Sequence, residues 1–406
     1  MSRHCRRTSR DLFEEWWRAE PKETGTRFGL VSLRIPARHE MSEGRHYNGQ
    51  TMVEVSKDPV TALEKRLGTE WMHLRKAREV SAAKRQEIAR LAVGLDSEDT
   101  SIVVSGSLAR DEFTNGSDID WSLLIDGSAD PKHYDLLRKI GSVIDTLAAK
   151  SPGPEGTFGK MVFSHGLIHE IGGEDDTNLN TTRRLLLLLE SRAVGRDVAH
   201  NKVVRGILDR YLLEDRGFWR GSGHRVPRFL QNDFARYWRT MTVDFAYKLR
   251  NRGGKEWAIR NIKLRMSRKL LYISGLLACY RCHLDYDEIE RARVYGDPGM
   301  RFEVIKRLQS IFRATPLEIV SGVLLRYPHL DASATKVLGA YDGFVGILSD
   351  SQQRKRLEDL KEDEADDDET YQKARSLSHD FRDGLLEVFF DEKSGMCNLT
   401  RNYGVF

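Results

Sequence analysis

The sequence predicts an α+β fold in which a small sheet with flanking helices is followed by a mostly helical second domain. Three observations point there. Residues 101–125 read as strand, glycine turn, short helix, turn and second strand. Residues 131–147 carry Tyr134, Leu136, Leu137, Ile140, Val143 and Ile144 along one side of a helix. Residues 197–345 keep helical periodicity nearly throughout. A chain of 406 residues is too long for one ordinary core, so at least two domains are expected.

In chain order, residues 1–96 form an N-terminal extension with supporting helices. A short helix is expected at 12–17, a strand at 28–35, and helices at 58–67 and 81–95, the last through Ile88, Leu91, Ala92 and Leu95. Residues 97–196 form the sheet domain. Its strands are Ser101–Val104 and the run Ile119, Trp121, Leu123, Leu124 and Ile125; two more are expected at 161–163 and 167–171. Gly153, Gly156 and Gly159 mark a loop, and Lys160 beside it reads first as a surface lysine and second as a phosphate contact. The run Leu185–Leu189 is apolar on every side, so its helix is expected to be buried, with Arg183, Arg184 and Arg192 either clamping phosphates or holding an acidic neighbour.

Residues 197–345 form the helical domain, with helices over 203–213 and 229–249. Between Lys248 and Lys269 stand nine basic residues and one acid, so a cationic face is expected there. Arg265 and Lys269 are four apart and share a side of a regular helix, with Lys263 nearby. Residues 346–375 change character: seven of the nine residues from Lys361 to Glu369 are acidic, which reads as a solvated loop or frayed helix. Residues 376–406 close the chain with a helix and a tail carrying Tyr403.

Composition limits the function classes. No stretch approaches twenty apolar residues, and no apolar run follows the basic N-terminus, so neither a membrane span nor a secretory signal is expected and the chain reads as cytoplasmic. The cysteines Cys5, Cys279, Cys282 and Cys397 suit free thiols; Cys279 and Cys282 have the C-x-x-C spacing but no second pair. The net charge of +4 is mild, so its distribution matters more than its sum.

The chemistry concentrates at Gly106-Ser107 and, eleven residues after Ser107, at Asp118-Ile119-Asp120. On extended backbone the two aspartates point to one side and Ile119 to the core. Two carboxylates so close repel unless a cation lies between them, which suits a hard divalent ion. A glycine-serine turn beside them offers N–H groups and a hydroxyl to phosphate oxygens. The pattern reads as metal-dependent phosphoryl or nucleotidyl transfer.

The stretch G-S-L-A-R-D-E-F-T-N-G-S-D-I-D-W-S resembles the signature of nucleotidyltransferases of the DNA polymerase beta-like fold. That resemblance implies a nucleoside triphosphate substrate with Mg²⁺, or Mn²⁺ in its place, held by Asp118 and Asp120 beside Gly106, Ser107 and Arg110. It implies cations across a cleft, for which Lys263, Arg265 and Lys269 are the candidates. It also implies a third carboxylate on a neighbouring strand. Glu170, Asp175 and Asp176 are open candidates, and so is the absence of any; His169 reads as a packed histidine. More loosely, the chain resembles bacterial antiphage signalling nucleotidyltransferases, which make nucleotide messengers read by an effector protein. One subclass, the Hailong type, makes oligodeoxyadenylate from dATP on a tyrosine near its own C-terminus, and Tyr403 is the candidate here. The segment 175–192 also resembles a connecting segment in relatives of the enzyme that uridylylates the nitrogen-regulatory protein. Transfer to a separate protein or a tRNA, and a catalytically inactive nucleotide binder, are the other readings that stay open.

Overall fold

The computed structural model describes residues 58–147, 158–220, 223–251 and 253–404. The helix expected at 12–17, the strand at 28–35, Cys5, Gly153, Gly156 and the terminal Val405-Phe406 lie outside them. The described residues all belong to one compact unit, Ser56–Phe406.

The N-terminal helices are α1 (Pro59–Leu67) and α2 (Met72–Leu91). Asp58 caps α1 by accepting from Thr61 N at 3.1 Å, Pro59 fits the first turn where no N–H is needed, and Gly68 ends it at φ +62°. Then come β1 (Thr100–Ser105), the short α3 (Gly106–Ala109), β2 (Trp121–Ile125), α4 (Lys132–Leu147), β3 (Lys160–Phe163), α5 (Ser164–His169), α6 (Asn178–Leu189) and β4 (Ser191–Val194). The strands lie in the order β3-β2-β1-β4. β1 runs antiparallel to β2 and β4, while β3 is parallel to β2, as the α4 crossover between them requires.

Alternation along β2 divides the sheet into two faces. Ile119, Trp121, Leu123 and Ile125 join Ile102 and Val104 of β1, Ile88 of α2 and Ile140 and Ile144 of α4 in one core cluster. The opposite face, with Val103, Ser122 and Leu124, lies against Leu186 and Leu187 of α6. The leucine run of α6 is therefore buried on both sides, between the sheet and the helical region.

That region contains α7 (Val198–Glu214), α8 (Arg216–Arg220), α9 (Arg228–Asn251), α10 (Trp257–Lys263), α11 (Lys269–Leu284), α12 (Glu288–Gly296), α13 (Arg301–Phe312), α14 (Pro316–Arg326), α15 (Asp331–Ser349), α16 (Ser351–Asp359), α17 (Glu369–Phe389) and α18 (Met396–Leu399). A π turn, Leu264–Arg268, joins α10 to α11 without a break. Among the described residues no helix is long and apolar enough to cross a membrane.

Four expectations change. Residues 164–169 form α5 rather than a strand, because only Leu167 there is buried, and one helical turn is enough to bury it. β4, four residues long directly after the leucine run, was not anticipated. The acidic run is held in place: Ala365 is buried in a 3₁₀ turn, and Asp368 caps α17 while pairing with Arg356 at 2.6 Å. Finally, α15 runs through 345/346 and α17 through 375/376, so neither junction is a break in the chain's secondary structure. Cys279, Cys282 and Cys397 are buried free thiols. Burial pushes Cys282 up to about 12 and Cys279 well above the ordinary thiol value, which leaves both inert at neutral pH.

Candidate active site at the head of β2

Asp118 and Asp120 stand just ahead of β2 rather than within it. The strand alternation nevertheless reaches them, because Ser105 N donates to Asp120 O at 2.8 Å and extends the β1 pairing. Ile119 is fully buried, Asp118 is exposed and Asp120 is half-buried. The two carboxylates thus emerge together from the face of the sheet that α6 covers further along.

Gly106 is fixed by this arrangement. It has φ +66°, and a Cβ there would lie 2.7 Å from Asp120 Oδ2. A side chain would be strained by the backbone and would push the carboxylate away. Ser107 follows in the first turn of α3, so the glycine-serine turn and Asp120 are in direct contact.

Beneath the aspartates lies a buried ion network. Arg110 Nε donates to Glu112 at 2.9 Å and Nη1 pairs with Glu190. Arg268 Nη1 reaches the other oxygen of Glu190 at 3.3 Å, and Tyr341 donates to Glu112 at 2.7 Å. Two cations and two anions balance, as a buried cluster requires. Arg110, expected to contact phosphate, is instead buried in this network, where its guanidinium is already used.

Among the described residues Asp120 has no such hydrogen-bonded cation. Burial, then the carboxylates of Asp118 and Glu190, push its pKa up to about 7, against the pull of Arg268 and Arg110. Facing Asp118 is Lys263, which burial and then Arg354 pull down to about 8 while Asp118 opposes the shift. The π turn sets this face. Lys269 N donates to Leu264 O five residues back, a wider turn than the α-helix makes. Lys263 and Arg268, five apart, therefore come to one side and each acts electrostatically on one aspartate. Arg265 and Lys269 do not form the expected cationic face: Arg265 Nε donates back to Asn261 at 2.6 Å, and Lys269 is buried. Arg354 of α16 closes the rim, donating to Thr114 at 3.2 Å and pairing with Glu358 at 3.0 Å. Its guanidinium lies over Gly116, where a Cβ would meet Arg354 Nε at 2.7 Å.

The third-acid candidates lie elsewhere. Glu170 follows α5 and accepts from Asn180 at 2.6 Å. Asp175 is exposed. Asp176 is buried and clamped by Arg184 at 2.8 Å and Arg236 at 3.2 Å. The acid that does approach Asp120 is Glu190, at the end of the leucine run, already bound by two arginines. Among the described residues no group of three histidine, cysteine, aspartate or glutamate side chains is placed to hold a metal ion. Of the other arginines, Arg184 holds acidic neighbours and Arg192 donates to Ala109 O at 3.0 Å.

Tyr403 is not brought to the aspartates. It sits in a π turn, Thr400–Gly404, with its ring 5.8 Å from that of His224 and its carbonyl accepting from Gln231. Gly404 abuts Tyr280, twelve residues along the helix from Arg268, or about 18 Å at the α-helical rise. Residues 400–404 are packed there.

Glu190, Arg268 and Arg354 complete the site and were not chosen from the sequence. Glu190 carried one usable signal, a single acid ending an apolar run. Arg268 depends on the π turn and Arg354 on tertiary packing, and neither has a local mark.

Residues 86–152 match the family model described as a nucleotidyltransferase domain, a span from the end of α2 through the glycine turn, both aspartates and α4. No curated protein and no solved structure matches the chain.

Proposed function

We propose that this domain is an active, metal-dependent nucleotidyltransferase that takes a nucleoside triphosphate at Asp118 and Asp120. The observation that carries the reading is the crowding of carboxylates beside the glycine turn: Asp120 contacts the Gly106 position, and burial with the neighbouring Asp118 and Glu190 carboxylates pushes it up to about 7. An all-oxygen donor set of two carboxylates fits one hard divalent ion, Mg²⁺ or Mn²⁺. When bound, that ion would offset the triphosphate's charge and favour ionisation of an attacking hydroxyl.

The chain's own groups supply the rest. Gly106 gives Asp120 room, and the Gly106-Ser107 turn offers N–H groups to phosphate oxygens. Lys263 and Arg268 face the aspartates and would meet the charge that builds on the departing pyrophosphate. Arg354 holds the 114–117 turn through Thr114, and so fixes where Asp118 starts. In the reaction an acceptor oxygen bonds to the α-phosphorus, the bond to pyrophosphate breaks, and the hydroxyl proton leaves to solvent.

The acceptor proposed is an external hydroxyl, because the packing of Tyr403 opposes self-priming. A nucleotide or oligonucleotide product is favoured over a modified protein by the cationic side chains of the helical region. Base and sugar stay unspecified, so dATP is one substrate to test among the others.

The test is incubation with each α-labelled ribo- and deoxyribonucleoside triphosphate with Mg²⁺ or Mn²⁺, read as pyrophosphate release and as label in product. Metal-dependent release lost in Asp118→Asn and Asp120→Asn is expected. No release with any triphosphate, or full activity in both variants, would overturn the proposal.

A further inference from the structure

Helix α9 leaves one long side uncovered among the described residues. Phe229, Asn232, Arg236, Arg239, Val243 and Tyr247 fall within one arc of the helix and span about 27 Å at the α-helical rise. Phe229 is 48% exposed, Val243 69% and Tyr247 60%. Along this line two consecutive arginines stand between an aromatic ring near each end. The middle of this side, with Asn178 at the start of α6, walls an open groove of about 500 Å³. Both terminal nitrogens of Arg236 are engaged by Asp176, Nη1 at its carboxylate at 3.2 Å and Nη2 at its carbonyl at 2.9 Å, so Arg236 offers a ligand its charge more than its donors. Arg239 is exposed, and its guanidinium makes no ion pair with any described residue. The groove's one acid, Asp244, lies 3.9 Å from Lys248.

We infer that this side of α9 binds a single-stranded nucleic acid, its phosphates on Arg239 and Arg236 and its bases against Tyr247 and Phe229. Spaced rings offer stacking surfaces without base selection, and cations between them track the backbone. Asn178 and Asn232 add amide donors and acceptors for base edges or sugar hydroxyls. A duplex, with its bases already stacked, would not use the rings. The assignment of that strand as acceptor or growing product rests on the transfer reading; the binding itself does not.

The experiment is fluorescence anisotropy of the full chain with short labelled single strands of DNA and of RNA and with a matched duplex, over a salt series. Wild type should favour the single strands. Tyr247→Ala should weaken binding roughly ten-fold, and Arg239→Ala should lower the salt slope by about 0.7, the share of one phosphate contact. Both positions are exposed, so circular dichroism should show an unchanged fold. Asp118→Asn should bind as wild type does. Equal binding by all variants, preference for the duplex, or no binding would overturn the inference. So would self-association of wild type that Val243→Glu abolishes, since the face would then belong to a second copy. Groove-dependent binding without pyrophosphate release from any triphosphate would keep this inference and remove the transfer reading; release without groove-dependent binding would do the reverse.

Discussion

Asp120 and Asp176 are two aspartates set against apolar structure, and their surroundings treat them in opposite ways. Asp176 accepts from Arg184, Arg236, Gly172 N and Thr181, and the arginines and the backbone bond hold its pKa below the ordinary value in spite of burial. Asp120 is beside Asp118 and Glu190, and its pKa rises to about 7. One site is complete as folded, with Tyr211 and Asp233 joining the arginine cluster. At the other, no described cation is hydrogen-bonded to the Asp120 carboxylate. A satisfied acid is architecture, and a destabilised acid at a cleft, beside a turn that only glycine can make, is where a ligand belongs.

Substitution should separate the two. Asp118→Asn or Asp120→Asn is predicted to lower nucleotidyl transfer about a thousand-fold or more, some 4 kcal/mol of barrier, while the melting temperature holds or rises. Arg184→Met should act on stability alone in kind, leaving Asp176 and Asp233 short of a partner at a cost of about 3–5 kcal/mol in denaturant unfolding. Lys263→Met should reduce kcat about 10²-fold if the lysine meets leaving-group charge. It should also raise stability slightly near neutral pH, since a lysine pulled down to about 8 penalises the fold at pH below that value.

The pH dependence has a defined sign. Asp120 keeps its proton in the folded chain between its ordinary value of 3.8 and about 7, where the unfolded chain has released it. Its contribution to stability is therefore present below the lower value and is lost as pH rises to the upper one. In metal-free buffer the difference in melting temperature between wild type and Asp120→Asn should widen in favour of the variant across that window. Mg²⁺ added above it should raise the wild-type melting temperature and leave the variant unmoved. The smallest effect expected is none: Tyr403→Phe should leave transfer and labelling unchanged, because the phenol lies against His224 far from the aspartates.

What could be read beforehand follows the range of the interactions. The β1–turn–β2 unit was legible because its information is local: alternation around Ile119, a glycine at Gly106 and a second turn at 114–117. The helices of 197–345 were legible by period. The place of Glu190 was not, because Glu170 and Glu190 look alike in sequence, and only the pairing of β4 with β1 brings Glu190 under Asp120. The cationic face was displaced for a different reason. A regular helix aligns Arg265 with Lys269, and one extra residue in the Leu264–Arg268 turn aligns Lys263 with Arg268 instead. Arg354 comes from nearly 240 residues after Asp118, and no spacing rule reaches that far.

The proposal that Asp118 and Asp120 bind a divalent cation is tested most directly by calorimetric titration of Mg²⁺ into the full chain near pH 7, in buffers of different ionisation enthalpy. A carboxyl whose pKa is raised to about 7 is partly protonated there, so binding should release protons, more as the pH is lowered. Asp120→Asn should abolish both the binding and the release. Binding without proton release, or equal binding by the variant, would contradict the account.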